Sequence, residues 1–309
     1  MAILVLPTSR FIELQLEALR RLAPEETIYT DPATAPAAEI EAMLAFKLKA
    51  GLVPRFAALR FIGCAGAGAD DLLATPDIPA AVAITRVVDP LQAVRMAQYV
   101  TLMVLRAQRD LTRLEAQSRE GTWQRRAPFE EEDYAVGVMG YGSTAAPLVD
   151  VLARLGYPVA VWTRTPRTID GVETFAGPEG LAPFLARTHV LVCALPLTVE
   201  TRGLLAAPLF AALPKGAHVI NVSRGAVLNE PDLVAAVDGG HLGGAALDVF
   251  EVEPLPAQSP LWRHPRILCT PHIAAVPRPA TAAAQFLDNL RRARRGEPLA
   301  NVVDRGRGY

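Results

Sequence analysis

Two short stretches hold the residue types needed to bind a phosphorylated ligand. Gly140-Tyr141-Gly142-Ser143-Thr144-Ala145 follows the apolar run Ala135–Met139 (AVGVM) and precedes a helical run from Ala146 to Leu155. In a strand–turn–helix setting, the first glycine of a GxGxxA pattern allows a tight turn. The second lets the backbone approach a pyrophosphate, and the small third residue lets helix and strand pack closely. The helix N-terminus then presents N–H groups and the positive end of its dipole to an anion. Further on, residues 160–167 read AVWTRTPR. A site for NAD places an acid at the end of this second strand, where it accepts hydrogen bonds from the ribose hydroxyls. Here Thr163, Arg164, Thr165 and Arg167 stand in its place. An acid repels a 2′-phosphate, whereas guanidinium groups bind one in a fork. The two arginines therefore read as a marker of NADP(H) rather than NAD(H), the alternative being a solvated turn.

Three more stretches set polar residues among apolar ones: Asn221-Val222-Ser223-Arg224-Gly225, the run LDVFEVEPLP from Leu247 to Pro256, and Thr270-Pro271-His272-Ile273-Ala274-Ala275. Arg224 and His272 each follow an expected strand, and Asp248 lies near one. Ligands of open α/β sheets bind outside the carboxyl ends of the strands, so these groups would gather there.

The elements that must position them alternate throughout. Apolar runs at Ala2–Leu6, Ala58–Ile62, Val82–Thr85, Ala135–Met139, Val159–Trp162, Val190–Ala194, His218–Val222, Ala245–Val249 and Ile267–Thr270 read as strands. Helical stretches lie between them, including Phe11–Arg21, one long helix from Pro90 to Ser118, and Thr281–Arg295. Continuous apolar strands alternating with helices indicate parallel sheets covered on both faces. The fold class expected is α/β with two doubly wound parallel-sheet domains. Gly121–Asp133 reads as a polar surface excursion, and the arginines that end the last helix as a solvated terminus favouring the helix dipole.

Bulk composition narrows the function classes. The chain has 309 residues, 51% hydrophobic and 20% charged, with a formal net charge of -1. That argues against disorder and against a nucleic-acid or anionic-membrane surface. No apolar run approaches the length of a membrane span. The opening MAILVLPTSR lacks the basic leader and apolar length of a signal peptide. Cys64, Cys193 and Cys269 are odd in number and far apart, which fits buried thiols in a reducing cytoplasm, and the five histidines show no ligand spacing. No metal is expected.

In this order GxGxxA, NVSRGAVL, LDVFEVEPLP and TPHIAA resemble the D-isomer-specific 2-hydroxyacid dehydrogenases across nearly the whole chain. GAGADDLL, MAQYV, VWTRTPR, SPLWRHPRILCTPHIAAVPRPA and the ending VDRGRGY narrow the resemblance to the glyoxylate/hydroxypyruvate reductase A group. The resemblance implies a Rossmann cofactor domain over 98–276, inserted into a flavodoxin-like substrate domain made of 1–97 and 277–309. It implies that His272 is the catalytic acid/base, Glu253 its carboxylate partner and Arg224 a substrate-binding arginine. Asp248 would hold the nicotinamide carboxamide, with Leu195 and Pro196 beside the cofactor. Ala67 and Gly68 would receive the substrate carboxylate through their N–H groups, with Phe46 nearby. NADP(H) is the preferred cofactor, with NAD(H) possible, and a homodimer is implied.

The chemistry is consistent with these roles. Hydride delivered to a 2-keto carbon makes an alkoxide, which His272 can protonate. A carboxylate beside the imidazole favours its charged form, and Arg224 can bind a carboxylate and polarise a ketone. The activity expected is NADPH-dependent reduction of glyoxylate and hydroxypyruvate. Departures from the group lie on the substrate side: Leu44–Lys49 replaces a WxPP-like segment but keeps Phe46, Ala69 replaces a larger residue, and Asp89-Pro90-Leu91 is unusual. They leave an NAD-linked dehydrogenase for a bulkier 2-hydroxy acid as one alternative; a non-catalytic NADP(H)-sensing interaction module, a role that the resemblance implies for some members of the superfamily, is another.

Overall fold

The computed structural model describes residues 1–125 and 134–306. The expected excursion over Gly121–Asp133 falls outside the described residues from position 126, as do the last three residues of VDRGRGY. In chain order the elements are β1 (Ala2–Val5), α1 (Arg10–Leu22), β2 (Ile28–Tyr29), β3 (Ile40–Ala45), β4 (Phe61–Cys64), α2 (Asp70–Leu73), β5 (Ala83–Thr85), α3 (Pro90–Gln108) and α4 (Leu111–Glu120). They continue with β6 (Val136–Met139), α5 (Ala146–Arg154), β7 (Val159–Thr163), β8 (Glu173–Ala176), α6 (Gly177–Ala186), β9 (Val190–Cys193) and α7 (Ala207–Ala211). The last are β10 (Ala217–Asn221), α8 (Glu230–Asp238), β11 (Leu242–Leu247), β12 (Ile267–Cys269) and α9 (Pro279–Arg295). No helix among the described residues is long and apolar enough to cross a membrane.

The chain divides into two compact units, Met1–Gln92 with Val276–Tyr309, and Ala93–Ala275. The first holds a five-stranded sheet of order β2-β1-β3-β4-β5, with every strand pair parallel. This is the flavodoxin-like doubly wound order. The period of two in β1 explains the layering. Ile3 and Val5 meet Ile12, Leu16 and Leu19 of α1 and Phe286 and Leu290 of α9, while Ala2 and Leu4 face Met43, Ile62 and Leu72. Gly63 gives α9 room to pack, since a Cβ there would lie 2.6 Å from the Phe286 ring.

The second unit holds a seven-stranded parallel sheet of order β12-β11-β10-β9-β6-β7-β8. Strand order reverses between β6 and β9, as in the dinucleotide-binding doubly wound sheet, with one further strand at the far edge. Val136 and Val138 pack with α5 and α3 in one core, whereas Leu191, Val219 and Leu247 share the other with α7 and α8.

Several elements differ from the sequence reading. The single helix expected over Pro90–Ser118 is two helices, because Asp110 takes a left-handed backbone (φ 52°). Asp tolerates that region better than most residues, and its carboxylate accepts from Arg113 Nε at 2.6 Å. The strand expected at Ala58–Ile62 is shifted to Phe61–Cys64. Strands β2, β3 and β8 were not expected. The arginines ending α9 are not simply solvated: Arg294 forms ion pairs with Glu26 at 2.6 Å and Glu41 at 2.7 Å.

Candidate active site

In the second unit, Gly140 sits at φ +96°, and a Cβ on it would lie 2.9 Å from the Ala194 carbonyl oxygen. Only glycine fits this turn, where β6 hands over to α5. A Cβ on Gly142 would meet open space, so the backbone is approachable from outside. Ala145 and Ala146 N–H groups donate to Gly142 C=O, whereas those of Ser143 and Thr144 meet no acceptor among the described residues. These open donors at a helix N-terminus fit a pyrophosphate.

The neighbouring strand β7 delivers the arginine turn. Thr163 is buried, and its hydroxyl donates to Thr165 C=O at 2.8 Å, which shapes the turn. Trp162 Nε1 donates to Gly177 C=O at 2.9 Å. Arg167 reaches back to the glycine turn and donates to Tyr141 C=O at 3.0 Å, while Arg164 is exposed. The structure thus brings the Arg167 guanidinium onto the Gly140–Ala145 turn. After β9, Leu195 turns its side chain into the core beside Gly140, leaving Pro196 exposed.

Three adjacent strands, β10, β11 and β12, carry the other polar groups at their C-terminal ends. Asn221, fully buried, accepts from Ser223 N–H (3.1 Å) and Oγ (2.9 Å) and donates to Arg224 C=O (3.2 Å). This shapes the turn from which the half-buried Arg224 extends, its Nη1 donating to Ser223 C=O at 2.8 Å. Gly225 is obligatory, because a Cβ would fall 1.8 Å from the Phe250 carbonyl carbon.

His272 Nδ1 lies 2.8 Å from Glu253 Oε2, and Phe250 N–H donates to Glu253 Oε1 at 3.0 Å. An ionised carboxylate only accepts, so Nδ1 carries the proton toward it and Nε2 remains for another partner. Burial pushes the Glu253 carboxyl up. The hydrogen bonds from His272 and Phe250 and the charges of His272 and Arg224 outweigh that and leave it below its ordinary value. Glu253 therefore stays ionised beside the imidazole.

Asp248 is 1% exposed. Its Oδ1 accepts from Thr270 Oγ1 at 2.6 Å and Ile273 N–H at 2.9 Å, and its Oδ2 from Ala274 N–H at 2.8 Å. The residue read as a nicotinamide contact is thus foremost the anchor of the histidine turn, with about one of a carboxylate's four acceptor positions left.

In the first unit the expected substrate residues cluster after β3 and β4. Ala67 and Gly68 N–H groups meet no acceptor among the described residues. Phe46 is half-buried, stacks on Phe11 with ring centroids 5.8 Å apart, and lies directly under Gly66. It supports the loop from beneath. Sequence reasoning missed Gln15, whose Nε2 donates to Ala65 C=O at 2.7 Å from full burial. The signal was a polar residue on the apolar face of α1, among Ile12, Leu16 and Leu19.

Comparison with known proteins identifies the family. The family model described as D-isomer specific 2-hydroxyacid dehydrogenase, NAD binding domain, matches residues 101–274. A glyoxylate/hydroxypyruvate reductase A from Salmonella heidelberg is 40% identical over 256 residues, covering 81% of this chain and 82% of that protein. A D-isomer specific 2-hydroxyacid dehydrogenase from Xanthobacter autotrophicus Py2, solved with NADPH and MES, superposes with a TM-score of 0.91 at 41% identity, covering 100% of this chain and 99% of that one. An NADPH-dependent glyoxylate/hydroxypyruvate reductase from Sinorhizobium meliloti, solved with NADP and sulfate, gives 0.90 at 34% identity over 100% of both chains. The chain belongs to the D-isomer-specific 2-hydroxyacid dehydrogenase family of NAD(P)-dependent oxidoreductases.

Proposed function

We propose that the protein reduces small 2-keto acids with NADPH, glyoxylate to glycolate and hydroxypyruvate to D-glycerate. The observation that carries this reading is the 2.8 Å His272–Glu253 pair beside Arg224 at the ends of adjacent strands. Bound NADPH would supply the hydride. Arg224 would hold the acid and polarise the carbonyl oxygen. As charge develops on that oxygen, His272 would give it the Nε2 proton, with Glu253 stabilising the imidazolium until that point. Ala67 and Gly68 would offer two backbone donors to the substrate carboxylate. Gly140–Thr144 would take the pyrophosphate, and Thr163–Arg167 the adenosine 2′-phosphate. The NADPH and NADP bound to the Xanthobacter and Sinorhizobium relatives support the cofactor choice. A homodimer in the cytoplasm completes the reading, with solution mass as its check.

The test is steady-state oxidation of NADPH and of NADH, each with glyoxylate and with hydroxypyruvate. NADPH should be preferred with both acids. His272→Ala should lower kcat by roughly 10²–10⁴ while NADPH still binds; full kcat in that variant rejects the proton-donor role. Replacing Arg164 and Arg167 together by Ala should weaken NADPH about 10–100-fold and NADH far less. Equal losses for both cofactors would remove the 2′-phosphate assignment.

A further inference from the structure

We propose that Tyr99 is a positioning residue for the reaction: through Thr270 and Asp248 it fixes the backbone turn from which His272 projects. This rests on His272 being the proton donor.

Tyr99 lies on α3, and its hydroxyl is 2.7 Å from Thr270 Oγ1, 171 positions away. Thr270 Oγ1 in turn lies 2.6 Å from Asp248 Oδ1. An ionised carboxylate only accepts, so the single threonine proton goes to Asp248, and Tyr99 O–H must donate to the threonine oxygen. Burial, aided by the charge of Asp248, pushes the Tyr99 phenol up to about 12. Its proton therefore stays in place over the working range and the direction of the chain holds.

The far end of this chain is the histidine backbone. His272 N–H donates to Asp248 C=O at 2.9 Å, and the next two N–H groups donate to the Asp248 carboxylate. His272 itself sits at φ +54°. A non-glycine residue holds that conformation only where its surroundings over-determine it. The Asp248 clamp supplies that determination, and Thr270 sets which way its Oδ1 faces. A donor on Thr270 leaves the hydroxyl one orientation, toward Asp248. Relaxation of φ would swing the imidazole off Glu253, and a displacement of about 1 Å in a reacting group can lower the rate about 100-fold. The Tyr99 ring packs on the core of β6, β7 and α5. Phenylalanine would keep that packing and remove only the donor.

The test is Tyr99→Phe, made both in the wild-type chain and with His272→Asn, since Asn tolerates positive φ. In the wild-type background kcat should fall about tenfold, with KM for glyoxylate and Kd for NADPH within about twofold. In the His272→Asn background the same change should alter the residual rate less than about twofold, because no imidazole remains to be positioned. Thr270→Ser, which keeps the hydroxyl, should retain kcat, whereas Thr270→Val should lose as much as Tyr99→Phe. An unchanged kcat in Tyr99→Phe overturns the proposal, as does an equal fold-loss in both backgrounds, which marks a merely structural role. Full kcat in His272→Asn alone rejects the proton-donor reading beneath it. Loss in His272→Asn with none in Tyr99→Phe rejects only the positioning.

Discussion

The histidine turn after β12 and the Ala65–Ala69 loop after β4 both leave the carboxyl end of a parallel strand, yet they are held in different ways. The turn hangs on a buried charge. Asp248 accepts three donors on its carboxylate and a fourth on its carbonyl. The loop is braced by neutral groups. Gln15 Nε2 donates to Ala65 C=O, Val87 N–H to Gly66 C=O at 2.9 Å, and the Cys64 thiol to Gly68 C=O at 3.1 Å. Hydrogen bonds to a charged group are about twice as strong as neutral ones. The histidine turn therefore has the stiffer mounting, as the proposed aiming of its ring requires, and the loop proposed to offer backbone donors to a carboxylate has the softer one. The braces meet carbonyls at Ala65, Gly66 and Gly68 and the N–H of Gly66, and the N–H groups of Ala67 and Gly68 meet no acceptor among the described residues.

Asp248→Asn would break this comparison most directly. The variant keeps size but turns one oxygen into a donor that faces other donors. We expect kcat to fall about 100-fold, with a loss of stability of about 1–3 kcal/mol; a variant with wild-type kcat would show that the charge is not what holds the turn. Gln15→Leu should act on the softer region alone. KM for the 2-keto acid should rise about tenfold, while kcat changes less than about threefold and NADPH affinity stays constant. A loss confined to kcat would contradict the assigned role of the loop. The smallest effect concerns pH. The Glu253 pKa is depressed in the folded chain, so its share of stability is present above its unfolded value and is lost as pH falls through the folded value. Glu253 is over a third exposed, so Glu253→Gln should shift Tm by less than about 2 °C at neutral pH. The difference should vanish on acidification below the folded pKa. A Tm gap that widens toward acid would mean that folding raises the Glu253 pKa.

The two regions also differ in how far they could be read from sequence. The glycine turn, the arginines after β7 and the strand ends that carry Arg224 and His272 were legible. Their signals are local: a tight turn needs glycine, and an apolar run ends where a polar group appears. The supports were not. Gln15 meets a carbonyl 50 positions away, and Tyr99 a hydroxyl 171 positions away. In β3 the apolar run IEAMLA is broken by Glu41, whose partner Arg294 lies 253 positions further on. Without that pairing in view, a buried glutamate argues against a strand. The break at Asp110 escaped for the opposite reason: Arg106, Arg109, Leu111 and Leu114 are good helix formers, and only a single left-handed residue divides α3 from α4.

The Asp248 clamp has a consequence for how the protein acquires activity when it folds. Its carboxylate joins residues 22, 25 and 26 positions apart and belongs to a turn that exists only once β12 has docked on β11. Contacts of this kind close late, after the local helices have formed, because the chain between them must be ordered first. On dilution from denaturant, helical signal should return ahead of the keto-acid reductase rate. Catalysis would be the last property recovered, since it needs Asp248 closed on its turn.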